Sequence, residues 1–169
     1  GFANKRILIL GDTIVDQYIA CDGLGMSSEA PVLVVQELEA TEFIGGAAIV
    51  ARHLASLGCK CDFISVTGDD NTATFVEEEL IKDGIKTQII RDDNRPTTFK
   101  IRYMVNNQKI LRVSRLKDNS VREELEREVL QKVAAIADKI DGLIVCDFVY
   151  GVVTKKILAG ISELSKKYG

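Results

Sequence analysis

The chain has 169 residues, of which 46% are hydrophobic and 28% charged, and its formal net charge is −3. This length and composition are typical of one folded domain with a substantial core, and the slight acidity argues against a nucleic-acid partner held by charge. No apolar run approaches the roughly 20 residues of a membrane span, so we expect no membrane association.

The four cysteines are Cys21, Cys59, Cys61 and Cys146, and His53 is the only histidine. Their spacing does not match that of structural zinc sites, so we expect no metal site. We expect reduced cysteines that act as small hydrophobic residues in a cytoplasmic protein.

The first 90 residues alternate between predicted strands and helices. Apolar or alternating runs predict strands at residues 6–12, 15–21, 31–38, 61–68 and 86–90, with a polar loop at 22–30. Apolar residues at helical spacing before a glycine predict helices from Gly46 to about Leu57 and from about 70 to 83. Asp69 or Asp70 is the expected N-cap of the second helix.

The pattern changes near residue 97. Residues 97–105 and 109–115 alternate apolar and polar side chains on either side of Asn106-Asn107, which predicts a hairpin with one polar face. An amphipathic helix at 120–140, a buried strand at 141–148 and a final helix at 154–169 are predicted next.

This order predicts an α/β fold with a Rossmann-like parallel sheet and helices on both of its faces. A separate small antiparallel sheet is expected from two distant pieces, about residues 15–41 and 96–116, and the α/β core from the rest of 1–169. The chain ends on a helix where the alternation calls for another strand. We therefore expect one edge or face of the parallel sheet to be exposed.

Two carboxylates follow the first buried strand. Ligands of open α/β sheets bind at the carboxyl ends of the strands, so Asp12 and Asp16 are candidates to accept sugar hydroxyls. The alternative is that Asp12 caps a turn and Asp16 is a solvated strand residue. Asp147 ends the last predicted strand and is a candidate for the same crevice.

A glycine pair, Gly45-Gly46, stands directly before the first predicted helix. The segment lacks the Lys-Ser/Thr ending of a P-loop and the third glycine of a dinucleotide-binding loop, which argues against a nucleotide-phosphate cradle. Glycine also lets a backbone pass close to a small ligand. The alternative is a tight turn into the helix. His53 shares a helix face with Ile49 and is expected to be packed rather than catalytic.

Six motifs follow one another along nearly the whole chain: ILGDTIVDQY, SSEAPVLVV, IGGAAIVARHLASLG, VTGDD, TTFKIRYMVNNQKILRVSR and IVCDFVYGVVT. In this order and spacing the chain resembles the N-terminal part of the ribokinase-like (PfkB) carbohydrate kinases. The similarity is strongest to the heptose 7-phosphate kinase domain of bifunctional ADP-heptose synthases. EAPV and TTFKIR are the motifs most specific to that branch.

The resemblance implies a ribokinase-type Rossmann-like core with a small β-sheet lid, through which such proteins often form homodimers. It implies ATP-dependent phosphorylation of a sugar or sugar-phosphate hydroxyl, with Asp16 holding sugar hydroxyls and Gly45-Gly46 on the sugar side. In the heptose branch the reaction leads toward lipopolysaccharide. Further crevice or lid candidates for binding the substrate are Asp12, Ile49, Lys100, Arg102 and Asp147.

The chain departs from the family pattern at four positions. Ile49 replaces an asparagine that usually contacts sugar, and an isoleucine leaves a facing hydroxyl without a partner worth about 1–3 kcal/mol. The heptose branch typically has an arginine near Gly25 and a lysine near Tyr150, and both charges are absent here, which weakens the case for a phosphorylated sugar. Ser114 replaces an aspartate at the end of the lid hairpin.

Members of the family are about twice as long as this chain. Their second half carries a G-A-G-D-type motif with the catalytic base, and most of the ATP site. The resemblance therefore implies that this chain is a sugar-side half with no catalytic residues. ATP and Mg²⁺ are expected only for the full-length protein, and the fragment is expected to be inactive. The alternative is a non-catalytic sugar-binding or lid-mediated dimerisation module, degenerate at the substrate site.

Overall fold

The computed structural model describes residues 3–168 and shows two four-stranded sheets connected by four helices. In chain order the elements are β1 (Arg6–Gly11), β2 (Thr13–Met26), β3 (Leu33–Gly46), α1 (Ala47–Ser56), β4 (Lys60–Gly68), α2 (Asn71–Lys82), β5 (Lys86–Asp92), β6 (Thr98–Val105), β7 (Gln108–Arg115), α3 (Glu123–Ala134), a 3₁₀ turn (Ala137–Lys139), β8 (Gly142–Cys146) and α4 (Lys155–Tyr168).

The first sheet, which we call the core sheet, has the strand order β5-β4-β1-β8, and all of its neighbouring strands are parallel. The side chains of Leu8, Ile9 and Leu10 in its central strand are completely buried. One apolar cluster packs α1 and α2 on one face, and a second packs α3 and α4 on the other. The predicted parallel sheet with helices on both faces is confirmed.

The second sheet, which we call the lid sheet, has the order β3-β2-β6-β7. The outer pairs, β2 with β3 and β6 with β7, are antiparallel, but β2 and β6 are parallel. The prediction of an antiparallel sheet is therefore wrong for the central pair. Both central strands leave the core sheet at its carboxyl edge, β2 after β1 and β6 after β5, so they run outward side by side.

Several boundaries also differ from the sequence prediction. The strand predicted at residues 31–38 continues to Gly46, so the glycine pair ends β3 and the helix begins at Ala47. The predicted loop at 22–30 is wrong in its first half, because β2 continues to Met26. The third helix ends at Ala134 instead of continuing to residue 140. The chain must turn there to bring β8 alongside β1, where the Asp141 N–H donates to the Arg6 carbonyl oxygen at 2.7 Å.

β8 forms one edge of the core sheet, since among the described strands it pairs only with β1. Ile144 in this strand is 36% exposed. An edge with apolar side chains and unpaired backbone groups is the exposed surface that the strand–helix alternation predicts. Within residues 3–168, no helix has both the length and the apolar character needed to cross a membrane.

Candidate functional site

The candidate site lies where the carboxyl ends of the core strands meet the base of the lid sheet, and we call this junction the crevice. Asp12 follows β1 and Asp147 follows β8, so both lie at the carboxyl edge of the core sheet. The lid reaches the same place, because the Lys100 ammonium nitrogen of β6 lies 4.8 Å from the ring centroid of Tyr150, which follows β8.

The register of the lid sheet places several polar and aromatic residues on one face. Asp16 of β2 lies opposite Lys100 of β6 and Phe43 of β3, and Tyr18 lies opposite Arg102. Paired residues of neighbouring strands project to the same side. These five side chains therefore share one surface, which we call the polar face of the lid.

Asp16 is paired within this face. Its Oδ1 accepts a hydrogen bond from Arg102 Nη1, and the side chain stays 24% exposed. The Arg102 guanidinium lies 5.1 Å from the Tyr18 ring centroid, and that ring meets Phe43 edge-on at 5.7 Å. The arginine balances the carboxylate charge and fixes its direction, while the remaining lone pairs are free to accept hydroxyl groups.

The two glycines serve different local needs. A Cβ on Gly45 would lie 3.0 Å from Asp16 Oδ2, so this glycine leaves room for the carboxylate. Gly46 has φ 61° and ψ −140°, and a Cβ there would lie 2.3 Å from the Asp12 carbonyl oxygen. That oxygen accepts the Ala47 N–H at 2.8 Å. Gly46 is therefore required by the tight turn into α1, whether or not a ligand binds.

Asp12 is 1% exposed and its carboxylate is fully used inside the protein. It accepts the backbone N–H groups of Phe148 at 2.8 Å, Tyr150 at 3.2 Å and Val152 at 3.0 Å. The geometry supports the turn-capping alternative rather than direct ligand binding. Asp147, in contrast, is exposed, and it accepts the Val149 N–H at 2.8 Å.

Ile49 is half-buried in α1 and lines a shallow surface hollow with Arg52, His53 and Asp83. Asp16, Lys100 and Arg102 do not line this hollow. The structure therefore does not bring Ile49 into one pocket with them, and its role at the sugar site stays a prediction. His53 is exposed, so the expectation of a packed histidine is wrong.

A buried ionic cluster at the base of the lid was missed by the sequence analysis. Arg95 donates to Asp92 Oδ2 at 3.1 Å, to the Tyr150 carbonyl at 3.0 Å and to the Asn119 carbonyl at 3.0 Å. Burial by itself would raise the pKa of Asp92. The Asn94 backbone N–H and the charges of Arg95 and Arg122 outweigh that effect and hold the pKa below its ordinary value.

Asp70 performs a second function at the same base. It is the N-cap of α2, where Oδ1 accepts the Ala73 N–H at 2.9 Å, which confirms the predicted cap. Its carboxylate also accepts the Thr97 N–H and hydroxyl, each at 2.8 Å. No motif or periodicity marks Asp70, Asp92 and Arg95 as neighbours. The only sequence signal is the concentration of charge in the short connection DDNRPT between two strands.

The enclosed space at this junction is small. A cavity of about 10 Å³ is lined by Asp12, Arg95 and Tyr150 together with several threonines, and this volume holds about one water molecule. The enclosed space is therefore too small for a ligand larger than water, and the polar face of the lid is the open surface beside it. Among residues 3–168, no group of three His, Cys, Asp or Glu side chains is placed to hold a metal ion.

Comparisons with known proteins agree with this architecture. The model of the pfkB family carbohydrate kinases matches residues 4–169. The chain is 34% identical to the bifunctional protein HldE of Geobacter sulfurreducens, covering 95% of this chain and 33% of that protein. It is 35% identical to HldE of Campylobacter jejuni subsp. jejuni, with coverages of 96% and 34%. The chain thus spans about a third of the length of these relatives.

Solved structures show the same fold at lower sequence identity. Phosphofructokinase-2 from Escherichia coli, in its tetrameric inhibited form, superposes with a TM-score of 0.71 at 17% identity. That match covers 99% of this chain and 52% of that one. A carbohydrate kinase from Agrobacterium tumefaciens gives a TM-score of 0.68 at 18% identity, with coverages of 96% and 50%.

Proposed function

The chain belongs to the pfkB family of carbohydrate kinases, and we propose that it forms the sugar-binding half and lid of an ATP-dependent sugar kinase. The observation that carries the proposal is Asp16, held by Arg102 and given room by Gly45 at the carboxyl edge of the core sheet. The EAPV and TTFKIR motifs, together with the similarity to HldE proteins, support heptose 7-phosphate as the substrate.

On this proposal the residues of the chain bind and orient the sugar. Asp16 accepts hydrogen bonds from two sugar hydroxyls, and Arg102 holds the carboxylate in the direction that these bonds need. Lys100 and Asp147 lie along the same crevice as further polar contacts. The polar face of the lid covers the sugar and excludes water from it.

Phosphoryl transfer also needs a base, a phosphate cradle and Mg²⁺. The Gly-Gly turn does not offer a phosphate cradle, because the Ala47 N–H at the start of α1 already donates to the Asp12 carbonyl. ATP and Mg²⁺ are therefore proposed to bind a further part of the kinase fold, docked against the exposed edge of β8. The chain by itself is proposed to be inactive.

A kinase assay tests whether phosphoryl transfer needs the further part of the fold. The 169-residue chain and the product of the complete natural gene are each incubated with ATP and a panel that includes heptose 7-phosphate, fructose 6-phosphate and neutral sugars. We expect phosphorylation only by the longer product, whose sequence should carry a downstream G-x-G-D motif. Robust sugar phosphorylation by the 169-residue chain would refute the proposal.

Sugar binding is tested separately by calorimetry on the 169-residue chain. We expect Asp16→Ala to abolish binding of heptose 7-phosphate, because the carboxylate is the proposed hydroxyl acceptor. Asp22→Ala is the matched control, since Asp22 is an exposed aspartate further along β2. In the same assay, stronger binding by Ile49→Asn would show a relaxed site, and lost binding would show that Ile49 shapes the pocket.

A second candidate is a non-catalytic sugar-binding or dimerisation module. The lid carries a set of apolar side chains that are more than half exposed: Leu24, Met26, Leu33, Leu38 and Leu111. This set favours a homodimer through the lid in either case, and sedimentation equilibrium of the wild type and of Leu24→Lys/Leu111→Lys tests it. A complete gene without the G-x-G-D motif would favour the module over the kinase.

The proposal includes a cytoplasmic location, where ATP is available and thiols stay reduced. Within residues 3–168, the four cysteines form no disulfide. Burial raises the pKa of the Cys61 thiol to about 11, so this group is an unreactive part of the core.

A further inference from the structure

The loop after β8, residues 147–152, has a conformation that its sequence disfavours. Val149 has φ 64° although it is β-branched and 74% exposed. Gly151 has φ 87°, and a Cβ there would lie 2.1 Å from the Asn119 carbonyl oxygen. A non-glycine residue in this region costs about 1–3 kcal/mol and persists only where neighbouring contacts impose it.

Asp12 supplies those contacts. Its one buried carboxylate accepts the N–H groups of Phe148, Tyr150 and Val152, which are alternate residues along the loop. A loop that directs alternate N–H groups at a single carboxylate cannot relax without leaving buried donors unpaired. Arg95 holds the opposite side of the loop by donating to the Tyr150 carbonyl at 3.0 Å.

The loop also contacts the lid. Tyr150 is the residue whose ring lies 4.8 Å from the Lys100 ammonium on the polar face of the lid. Val149, by contrast, projects into solvent, so its strain serves no packing of its own. The strained backbone at Val149 therefore belongs to the loop conformation that places Tyr150 beside Lys100.

We propose that Asp12 is a positioning residue: its carboxylate holds loop 147–152 so that Tyr150 meets Lys100 and sets the wall of the sugar crevice. The residue acts through Tyr150 and does not touch the sugar. The inference rests on the proposed function only in identifying the crevice as the sugar side. The position of loop 147–152 is inferred from the three hydrogen bonds to Asp12 and from the Lys100–Tyr150 contact.

The first test uses nuclear magnetic resonance on Asp12→Asn and reads the side-chain methylene protons of Lys100. In the wild type, the Tyr150 ring should shift these protons upfield. We expect Asp12→Asn to lose at least half of that displacement while the amide signals of β1, β4 and β5 stay dispersed. Asp147→Asn is the matched control, since it removes a carboxylate of the same loop that accepts one backbone N–H, and it should keep the displacement.

A merely structural role would lower the melting temperature of Asp12→Asn and leave the Lys100 displacement of the folded protein unchanged, and that result would overturn the proposal. Hydrogen exchange in the wild type tests the idea even if the variant does not fold. The amides of residues 148, 150 and 152 should exchange slowly and together. Exchange as fast as that of the exposed turn Asn106-Asn107 would also overturn it.

The second test measures binding of heptose 7-phosphate by calorimetry. We expect Asp12→Asn to weaken binding about tenfold. We also expect Tyr150→Leu to weaken binding by a larger factor when it is introduced into the wild type than when it is introduced into Asp12→Asn. Equal effects in both backgrounds would show that Asp12 does not act through Tyr150. If the wild type binds none of the sugars, the proposed function fails, while the resonance and exchange results still decide the position of the loop.

Discussion

The core sheet and the lid sheet have four strands each, yet they differ in how they are covered. The core strand β1 has both faces under helices, and Leu8, Ile9 and Leu10 are completely buried. Every residue of the lid strand β7 is exposed. Near its base the lid packs Val15, Ile19, Phe99 and Ile101 against the same apolar cluster as α1, and further out it has no such cover.

This difference in burial assigns different roles to the two sheets: the core sheet stabilises the fold, and the lid sheet presents polar groups to solvent. A sheet buried on both faces carries mostly apolar side chains. The polar side chains within β4, Asp62, Ser65 and Thr67, are themselves buried, so the core sheet offers groups to a ligand at the ends of its strands. The lid has one free face, and there it carries Asp16, Lys100 and Arg102. The core should therefore dominate the free energy of unfolding, and the lid should tolerate substitutions that alter binding.

The largest expected effect is in the core sheet. Phe63 in β4 is completely buried, so Phe63→Ala should lower the free energy of unfolding by about 3–5 kcal/mol. Leu111→Ala in β7 is the matched change in the lid, where the side chain is 53% exposed in the single chain. At protein concentrations low enough to keep the chain monomeric, this change should stay within about 0.5 kcal/mol. Urea unfolding measures both.

A comparable loss from Leu111→Ala in the monomer would break the comparison. At higher protein concentration the loss should grow, because the proposed homodimer covers Leu111. The stability of the wild type should then rise with protein concentration.

The second effect is at the turn between lid and core. Gly46→Ala should lower the free energy of unfolding by on the order of 3 kcal/mol, because its backbone region is nearly exclusive to glycine and the added Cβ meets the Asp12 carbonyl. Gly84→Ala is the control: its φ is 75°, but no atom lies within 4 Å of the added Cβ. That change should cost about 1–2 kcal/mol, as thermal and urea unfolding can check, and equal costs would refute the crowding argument.

A third change should stabilise the protein. Val149→Gly removes the strain of a β-branched residue at φ 64° and should raise the free energy of unfolding by about 1 kcal/mol, after the entropy of glycine is subtracted. Asn107→Gly is its control, because asparagine tolerates its φ of 63°. A loss of stability in Val149→Gly would mean that the loop is not strained.

The smallest expected effect concerns pH. The pKa of Asp92 lies below its ordinary value of 3.8, so the associated stability is present above pH 4 and is lost as the pH falls through the lowered pKa. Arg122→Gln removes one of the charges that lower the pKa, so its unfolding free energy should fall less between pH 5 and pH 3 than that of the wild type. Arg112→Gln, at an exposed arginine of β7, should behave as the wild type.

Asp141 and Glu123 also have lowered pKa values, through the Arg6 backbone N–H and Lys5 for Asp141 and through Lys156 for Glu123. These two carboxylates contribute equally to the pH dependence of the unfolding free energy in the wild type and in both variants. The difference between Arg122→Gln and Arg112→Gln therefore isolates the contribution at Asp92, and identical slopes would show that Arg122 does not lower the pKa of Asp92.

The sequence by itself determined the order of strands and helices, because each is a local pattern. The apolar run of β1, the helical spacing of α2 and the Asn106-Asn107 turn each express preferences of a few neighbouring residues. The N-cap at Asp70 was predictable for the same reason. The family resemblance also supported the lid and Asp16 as a candidate binding residue, because the motifs that carry the resemblance are continuous stretches of sequence.

The tertiary structure alone decided which polar groups meet. The parallel pairing of β2 with β6, the bond from Arg102 to Asp16 and the contact of Lys100 with Tyr150 join residues that are far apart in the sequence. Asp12 and Asp16 look alike in the motif GDTIVD, yet one is buried under three N–H groups and the other lies on the polar face of the lid. No local preference distinguishes them, because what a carboxylate does is set by the groups that the fold brings to it.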